Sequence, residues 1–213
     1  MYIFSLIYTS IYYYIVKKIF YWSPITSQIA TKKAVINSAN SLLRYSSNYD
    51  VTIINVTGEF NKSDFSSENI RIYNLNNKLL KKKFIGKGFF RTRLEMIYIF
   101  LNSFFPLIKL LREKKPDYVI IHMLTSLPLI IFSFINNNTK CILRISGLPK
   151  LNFLRYFLWK FASKNIHKVT CPTNLTKRYL EKKNLFNNKL ITLYDPIILA
   201  EDLKKRHNKI KFN

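Results

Sequence analysis

Polar side chains follow most of the short apolar runs in this sequence, at positions where a bound molecule could be held. If the runs are parallel strands, these residues share the carboxyl edge of one sheet, which is where open α/β sheets bind ligands. They are Ser23, Thr26, Ser27, Thr57, Glu59, His122, Thr125, Ser126, Ser146, Gly147, Thr173, Asn174 and Asp195. A set rich in hydroxyl groups, with one imidazole, suits a polyhydroxylated ligand such as a sugar.

His122 is the one imidazole in that set, and the sequence leaves two interpretations of it open. A single histidine at the end of a strand is often a hydrogen-bonded structural residue. Alternatively, His122 binds or orients a substrate hydroxyl, or supports charge in a reaction, and is then the candidate catalytic residue. His167 and His207 fall at peripheral positions and are assigned no role.

Other kinds of chemistry find little support in the sequence. The acidic candidates are scattered, and no two are spaced like a hydrolytic carboxylate pair: Glu59, Glu68, Glu95 and Asp117. Gly86 and Gly88 follow a lysine run and not a strand, so they do not form a nucleotide fingerprint. Cys141 and Cys171 sit in apolar runs and are expected to be buried, reduced thiols. No cofactor and no metal site are predicted.

Hydrophobic periodicity predicts strands and helices that alternate along the chain. The predicted strands cover residues 19–22, 51–56, 117–123, 140–145, 168–172 and 189–194, with a weaker one at 70–75. The predicted helices cover residues 26–47, 94–114, 126–136, 150–163 and 175–183, and Pro106 is expected to kink or break the second. Strand, helix, strand order implies right-handed crossovers. The predicted fold class is therefore α/β, a doubly wound parallel sheet of the Rossmann-like kind.

The charge of the chain is unusual, with 35 Lys and Arg against 11 Asp and Glu and a net charge of +24. Such an excess attracts nucleic acid, anionic lipid or phosphorylated substrates, although a Lys- and Asn-rich composition can also reflect an AT-rich genome. Two segments concentrate basic residues, and we predict that they contact a membrane: Lys81, Lys82, Lys83, Lys87 and Arg91 in one, Arg155 and Trp159 in the other. An ordinary helix packed on the sheet is the alternative for residues 150–164.

The ends of the sequence differ in character from the middle. Residues 1–16 are apolar and uncharged, lack the basic start of a signal peptide, and are shorter than a bilayer span. They suit an interfacial anchor, a short membrane insertion or an upstream start codon. Residues 17–198 are predicted to form the folded domain, and residues 199–213 a charged linker or tail.

Five stretches together resemble the N-terminal domain of GT4-type glycosyltransferases, in particular bacterial enzymes of surface-polysaccharide and lipopolysaccharide assembly. They are residues 23–31 (SPITSQIAT), 116–128 (PDYVIIHMLTSLP), 144–149 (RISGLP), 169–173 (VTCPT) and 191–197 (ITLYDPI). The resemblance extends over residues 17–205, and it rests on the order and spacing of the stretches.

The resemblance implies a GT-B architecture, in which two Rossmann-like halves face each other across a cleft. The N-terminal half holds the acceptor and the other half a nucleotide-sugar. His122 matches a histidine that lies near the reacting sugar in such enzymes, and Ser146 and Gly147 match a small-residue turn. The acceptor-binding set expected here is Thr26, Ser27, Thr125, Ser126, Ser146 and Gly147. Asp195 matches the end of the last strand of that half.

The sequence also departs from the family. Its first loop lacks the usual pair of glycines, and the Glu-x7-Glu element and donor phosphate site are absent. We therefore expect a single GT-B half without its donor domain, inactive alone. It is then either a truncated or frameshifted enzyme, or an enzyme whose other half is supplied by a separate chain.

Three functions are consistent with these observations, in decreasing order of support. The first is the acceptor-binding half of a glycosyltransferase that uses a glycan or lipid-linked acceptor at the inner face of the plasma membrane. The second is a non-catalytic module that binds a membrane surface or a partner protein. Nucleic-acid binding ranks last, because most aromatic residues lie in runs typical of a core and not beside exposed basic residues.

Overall fold

The structure, a computed structural model, describes residues 16–24, 29–76, 89–135 and 138–194. Its centre is one sheet in which seven strands are all parallel, in the order β3-β2-β1-β4-β5-β6-β7. The strands are β1 (Lys17–Trp22), β2 (Tyr49–Asn55), β3 (Arg71–Asn74), β4 (Tyr118–Ile121), β5 (Lys140–Arg144), β6 (Ile166–Cys171) and β7 (Leu190–Thr192). The predicted fold class, a doubly wound α/β sheet, is confirmed.

In the described residues, five α-helices cover the sheet. They are α1 (Ile29–Tyr45), α2 (Phe89–Lys114), α3 (Ser126–Phe134), α4 (Phe153–Ala162) and α5 (Asn174–Lys182). The chain leaves β1 towards β2 in one direction and proceeds from β4 to β7 in the other. Because each crossover is right-handed, α1 lies on one face of the sheet and the other four helices on the opposite face.

The two faces have separate apolar cores, which follow from the alternation of side chains along each strand. The larger core joins Trp22, Ile54, Ile121 and Leu143 to the buried sides of α2 to α5. The smaller core packs strand residues such as Tyr21 against α1. Both Cys141 and Cys171 are buried and free, as predicted.

Helix α2 is the crossover from the third strand to the fourth and is longer than predicted. It begins at Phe89 and continues through Pro106, so the proline does not mark a break. By length and composition its part Thr92–Lys114 is apolar enough to cross a membrane, because it contains an 18-residue window with a mean hydropathy of 1.6. One side of the helix packs in the larger core through Ile99, Leu107 and Leu110. A stripe on another side is exposed: Leu94, Ile97, Leu101 and Phe105.

Helix α4 begins three residues later than predicted because Asn152 caps it. The Asn152 side chain accepts a hydrogen bond of 2.9 Å from the backbone N–H of Arg155. This bond satisfies one of the N–H groups that the first turn leaves without a partner.

We expect Asn152→Ala to lower the free energy of unfolding by about 1 kcal/mol, because it removes this cap. Asn152→Asp retains a capping oxygen and serves as the control. Urea unfolding of both variants measures the effect, and an equal loss in the two would contradict the capping role.

Candidate functional site

Five polar residues lie side by side across the carboxyl end of the sheet. In the register of the strands, Trp22 pairs with Ile54 on one side and Ile121 on the other, and Ile121 pairs with Leu143. The residues that follow these four are therefore level with one another, and Arg144 in turn pairs with Thr170. We call this set the tip row: Asn55, Ser23, His122, Arg144 and Thr170.

The tip row lies on the face of the sheet that carries α1. The residues before it, Trp22, Ile54, Ile121 and Leu143, point into the larger core on the opposite face. Alternation then directs the next residue of each strand to the α1 face. The ring of His122 confirms this placement, because its centroid is 5.8 Å from that of Tyr21, which belongs to the smaller core.

The tip row is buried, yet three of its polar atoms have no hydrogen-bond partner. All five residues are at most 7% exposed. The atoms without a partner are Ser23 Oγ, His122 Nε2 and Thr170 Oγ1. A buried polar atom with no partner costs free energy, so such atoms are uncommon in folded proteins and need a reason. Three of them lie in one row at the carboxyl end of the sheet, the edge at which open α/β sheets bind ligands, so the row is the candidate site.

Asn55 is the structural member of the row. Its side-chain amide donates to the carbonyl oxygen of Phe60 at 3.3 Å and to Asn74 Oδ1 at 3.0 Å. The side-chain Oδ1 of Asn55 accepts from the backbone N–H of Phe60 at 3.3 Å. These bonds hold the loop after β2 against β3. The same loop is closed by Glu59, whose Oε2 accepts from both the backbone N–H and the hydroxyl of Thr57 at 2.7 Å.

His122 is neutral in this environment. Burial lowers its pKa from 6.5 to about 3, and the positive charge of Arg144 acts in the same direction. Burial likewise raises the pKa of Tyr21 to about 12, although its hydroxyl is 2.8 Å from Ser38 Oγ. A neutral imidazole donates or accepts a hydrogen bond at Nε2 but carries no charge. Of the two functional roles predicted for His122, a neutral imidazole suits orientation of a hydroxyl better than support of charge in a reaction.

The loop after His122 is held in place by β1. The indole N–H of Trp22 points to the carbonyl oxygen of Leu124 at 3.4 Å, and Leu124 adopts a left-handed φ of 46°. Thr125 and Ser126, predicted to bind an acceptor, follow at the start of α3 and are partly exposed. The structure thus brings both within the loop that begins at His122.

The remaining predicted acceptor residues have different positions. Ser146 and Gly147 are exposed in the turn after β5, and a Cβ added at Gly147 would meet nothing within 4 Å. The turn therefore does not require glycine for space. Thr26, Ser27 and Asp195 lie outside the described residues.

The predicted membrane contacts divide into three groups. Lys81, Lys82, Lys83 and Lys87 lie outside the described residues, as does the side chain of Arg91 in α2. Arg155 is exposed on α4, and its guanidinium donates to the carbonyl oxygen of Lys150 at 3.0 Å. The prediction for Trp159 is wrong: it is 4% exposed and packs against Phe186, at 5.5 Å between ring centroids. Helical spacing turns Trp159 towards the sheet.

Arg144 and Thr170 were not among the predicted site residues, although Arg144 was part of the resemblance. A signal for Arg144 exists in the sequence, because a charged residue ends the apolar run of β5 (KCILR). Thr170 has no comparable signal, since threonine is common in strands. Within the described parts of the chain, no group of three or more His, Cys, Asp or Glu residues could hold a metal ion.

Comparisons with known proteins show what this fold is similar to. No protein-family model matches the sequence, and no curated protein matches it. A crystal structure of a glycosyltransferase from Rickettsia africae aligns with 92% of this chain and 50% of its own, at a TM-score of 0.58 and 15% identity. The crystal structure of UDP-GlcNAc 2-epimerase from Neisseria meningitidis, bound to UDP-GlcNAc, aligns with 91% of this chain and 49% of its own. Its TM-score is 0.55 and its sequence identity 16%.

A third solved structure, Anabaena HepE in complex with UDP and glucose, aligns with 92% of this chain and 50% of its own. Its TM-score is 0.51 and its identity 10%. The chain thus spans about half the length of each of these three structures. At sequence identities this low, the comparisons show similarity of the fold and do not show a shared function. The chain has the α/β Rossmann-like fold of one half of a GT-B protein, a fold that it shares with glycosyltransferases and UDP-GlcNAc 2-epimerases.

Proposed function

We propose that this chain is the acceptor-binding half of a GT4-type glycosyltransferase. The full reaction moves a sugar from a nucleotide-sugar to a glycan or lipid-linked acceptor, in the assembly of surface polysaccharide or lipopolysaccharide. The observation that carries the proposal is the tip row, in which the buried Ser23, His122 and Thr170 each present a polar atom with no partner. Hydroxyl and imidazole groups at the carboxyl edge of a parallel sheet suit the hydroxyl groups of a sugar.

We infer a positioning role for His122 in this reaction. In sugar transfer, the bond between the anomeric carbon and the leaving phosphate breaks, and the acceptor oxygen forms a new bond and loses its proton. An imidazole whose pKa is about 3 is a weak base, because burial and Arg144 both oppose its protonation. His122 Nε2 therefore orients the acceptor hydroxyl through a hydrogen bond. The electron pair of the broken bond leaves with the phosphate, and an oxygen of that phosphate takes up the proton of the acceptor hydroxyl.

The nucleotide-sugar is expected to be held by a second half of the enzyme. The aligned chains of the solved structures are about twice as long as this one. One of these structures is bound to UDP-GlcNAc, and another is in complex with UDP and glucose. We therefore propose that this chain has no transferase activity alone and that a donor half, within the same or a separate polypeptide, completes the site. Its place is the cytoplasmic side of the plasma membrane, where lipid-linked acceptors are found.

An epimerase half is the competing function, because UDP-GlcNAc 2-epimerases share the fold. The two functions predict different ligands for the isolated chain. An acceptor half binds sugars or glycans without a nucleotide, whereas a half that holds the nucleotide binds UDP. Protein-observed NMR with the His122 imidazole labelled would separate them: a shift of Nε2 on addition of sugar, and none with UDP, supports the proposal. A response to UDP alone would overturn it.

Thr170→Val separates function from stability within the tip row. The change is close to isosteric and removes a buried hydroxyl that has no partner. We expect stability to stay the same or to rise by about 1 kcal/mol, because an unsatisfied polar group is lost. Affinity for an acceptor glycan should fall about tenfold with the lost hydrogen bond. Thermal unfolding and glycan titration measure the two effects, and unchanged affinity would remove Thr170 from the site.

A further inference from the structure

The outer surface of α3 and α4 exposes a group of large apolar side chains, each more than half exposed. We call it the aromatic face: Phe134, Phe153, Leu154, Phe157 and Phe161. The group is continuous across the two helices, since the ring of Phe134 is 5.5 Å from that of Phe161 and the ring of Phe153 is 4.4 Å from that of Phe157. Contiguous apolar surface of this kind marks an interaction site.

The aromatic face lies in a part of the chain that has only positive charge. Residues 118–180 contain no Asp or Glu but nine Lys and Arg. Arg155 and Lys160 of α4 are exposed among the aromatic residues. No carboxylate of these residues would therefore repel an anionic surface, and the long basic side chains can reach its phosphates while the rings enter the apolar layer.

A cavity of about 450 Å³ opens between α4 and α5 at the edge of the aromatic face. Phe153 belongs to both, and the cavity is also lined by Tyr156, Tyr179, Lys182 and Lys183. The side chains of these lining residues carry two ammonium groups and two phenol groups, all of which can donate hydrogen bonds to phosphate oxygens. Glu181, the neighbouring acid, does not line the cavity and is 3.8 Å from the ammonium group of Lys177.

We propose that the aromatic face docks on an anionic bilayer and that the cavity between α4 and α5 receives the phosphate of a lipid head group. Charge selects this occupant over a second copy of the chain. Two copies that met through α4 would bring the positive charges of one copy, Arg155 and Lys160, close to those of the other, and like charges oppose such contact. An anionic leaflet is complementary to both the rings and the charges.

This inference deepens the membrane location given under the proposed function and does not depend on sugar transfer. Vesicle binding tests the docking surface, and sugar binding tests the acceptor site. The two can therefore fail separately.

The docking test compares variants of the full chain in flotation with vesicles. Phosphatidylcholine vesicles that contain phosphatidylglycerol should bind the chain in a salt-sensitive manner, and phosphatidylcholine alone should bind it weakly. The triple variant Phe153→Ser, Leu154→Ser, Phe157→Ser should reduce binding at least about tenfold, because three exposed apolar side chains leave the interface. Tyr45→Ser, exposed at the end of α1, is the control and should change nothing.

Three outcomes would overturn the docking surface. The first is a triple variant that binds like the parent chain, since another segment would then carry the attachment. The second is binding that depends on Leu101 and Phe105 instead, which would place the surface on α2. The third is self-association in solution that the triple variant abolishes, without vesicle binding by either protein.

The cavity is tested by two double variants that remove the same charge. Lys182→Gln with Lys183→Gln should lower affinity for the anionic vesicles about thirty-fold, because both ammonium groups approach the lipid phosphates. Lys114→Gln with Lys115→Gln, exposed at the end of α2, should have a much smaller effect. Equal losses in the two variants would mean that general attraction and not the cavity binds the lipid.

A soluble competitor identifies the source of the phosphate. Glycerol 3-phosphate should displace the chain from anionic vesicles, and the Lys182→Gln, Lys183→Gln variant should no longer respond to it. Inorganic phosphate that binds through the same two lysines, with no vesicle binding at all, would assign the cavity to a free phosphate and overturn the proposal.

Discussion

Trp159→Ala is expected to lower the free energy of unfolding by about 3–5 kcal/mol, the cost of deleting a large aromatic side chain from a core. Trp159 is 4% exposed, and its ring lies 5.5 Å from that of Phe186, which is also buried. The pair attaches α4 to the turn after α5, where the Lys160 ammonium group also donates to the carbonyl oxygen of Asn184 at 2.9 Å. Loss of the indole leaves a cavity that this turn cannot readily fill.

Phe157→Ala provides the matched control, two residues away on the same helix. The ring of Phe157 is more than half exposed. It lies near the aromatic rings of Phe153 and Tyr156, which belong to the same helix. The expected loss is within about 1 kcal/mol, because little buried area is removed. Urea unfolding of the two variants gives the comparison. Equal losses, or a small loss for Trp159→Ala, would place Trp159 at the surface.

The sequence predicted the order of strands and helices because strong periodicity persists through most of the chain. The alternation of β-branched strands with amphipathic helices determined the parallel sheet, and the structure confirms that fold class. The predicted ends of two helices were less accurate. Helix α4 begins where Asn152 caps it, and α2 begins at Phe89, before the apolar pattern in the sequence starts. Local hydrogen bonds, and not periodicity, determine such ends.

The direction of individual side chains on α4 was harder to predict than the helix itself. Almost every position from Phe153 to Phe161 is apolar or basic, so no polar stripe in the sequence distinguishes the buried side from the exposed side. Trp159 was consequently assigned to the membrane together with Arg155. The structure buries Trp159 and exposes Phe153, Phe157 and Phe161 instead. Packing against the sheet decided the orientation.

The tip row illustrates what register adds to sequence. His122 was identified from its type and its position after a strand, but its neighbours Ser23, Arg144 and Thr170 come from three other strands. Only the pairing of those strands places the four side by side. The burial of His122 and the charge of Arg144 then lower the pKa of His122. Neither effect can be predicted from a pattern in the sequence.

The parent chain should lose stability as the pH falls below 6.5, in part because His122 resists protonation. Burial and the charge of Arg144 lower its pKa to about 3 in the folded protein, against 6.5 in an unfolded chain. Above pH 6.5 His122 is neutral in both the folded and the unfolded protein, so its contribution to the free energy of unfolding does not change with pH. Below 6.5 the unfolded chain binds a proton that the folded protein does not, so stability falls by about 1.4 kcal/mol per pH unit.

His122→Gln should remove this part of the acid loss, about 2 kcal/mol between pH 7 and pH 5. Glutamine is uncharged throughout and can still hydrogen bond, so only the proton linkage changes. His167→Gln is the control: the pKa of His167 is also lowered, with burial as the largest cause, but the residue is exposed and its linkage is weaker. Urea unfolding at both pH values measures the three slopes. If His122→Gln retains the slope of the parent chain, His122 is protonated in the folded protein, and its assignment as a neutral positioning residue fails.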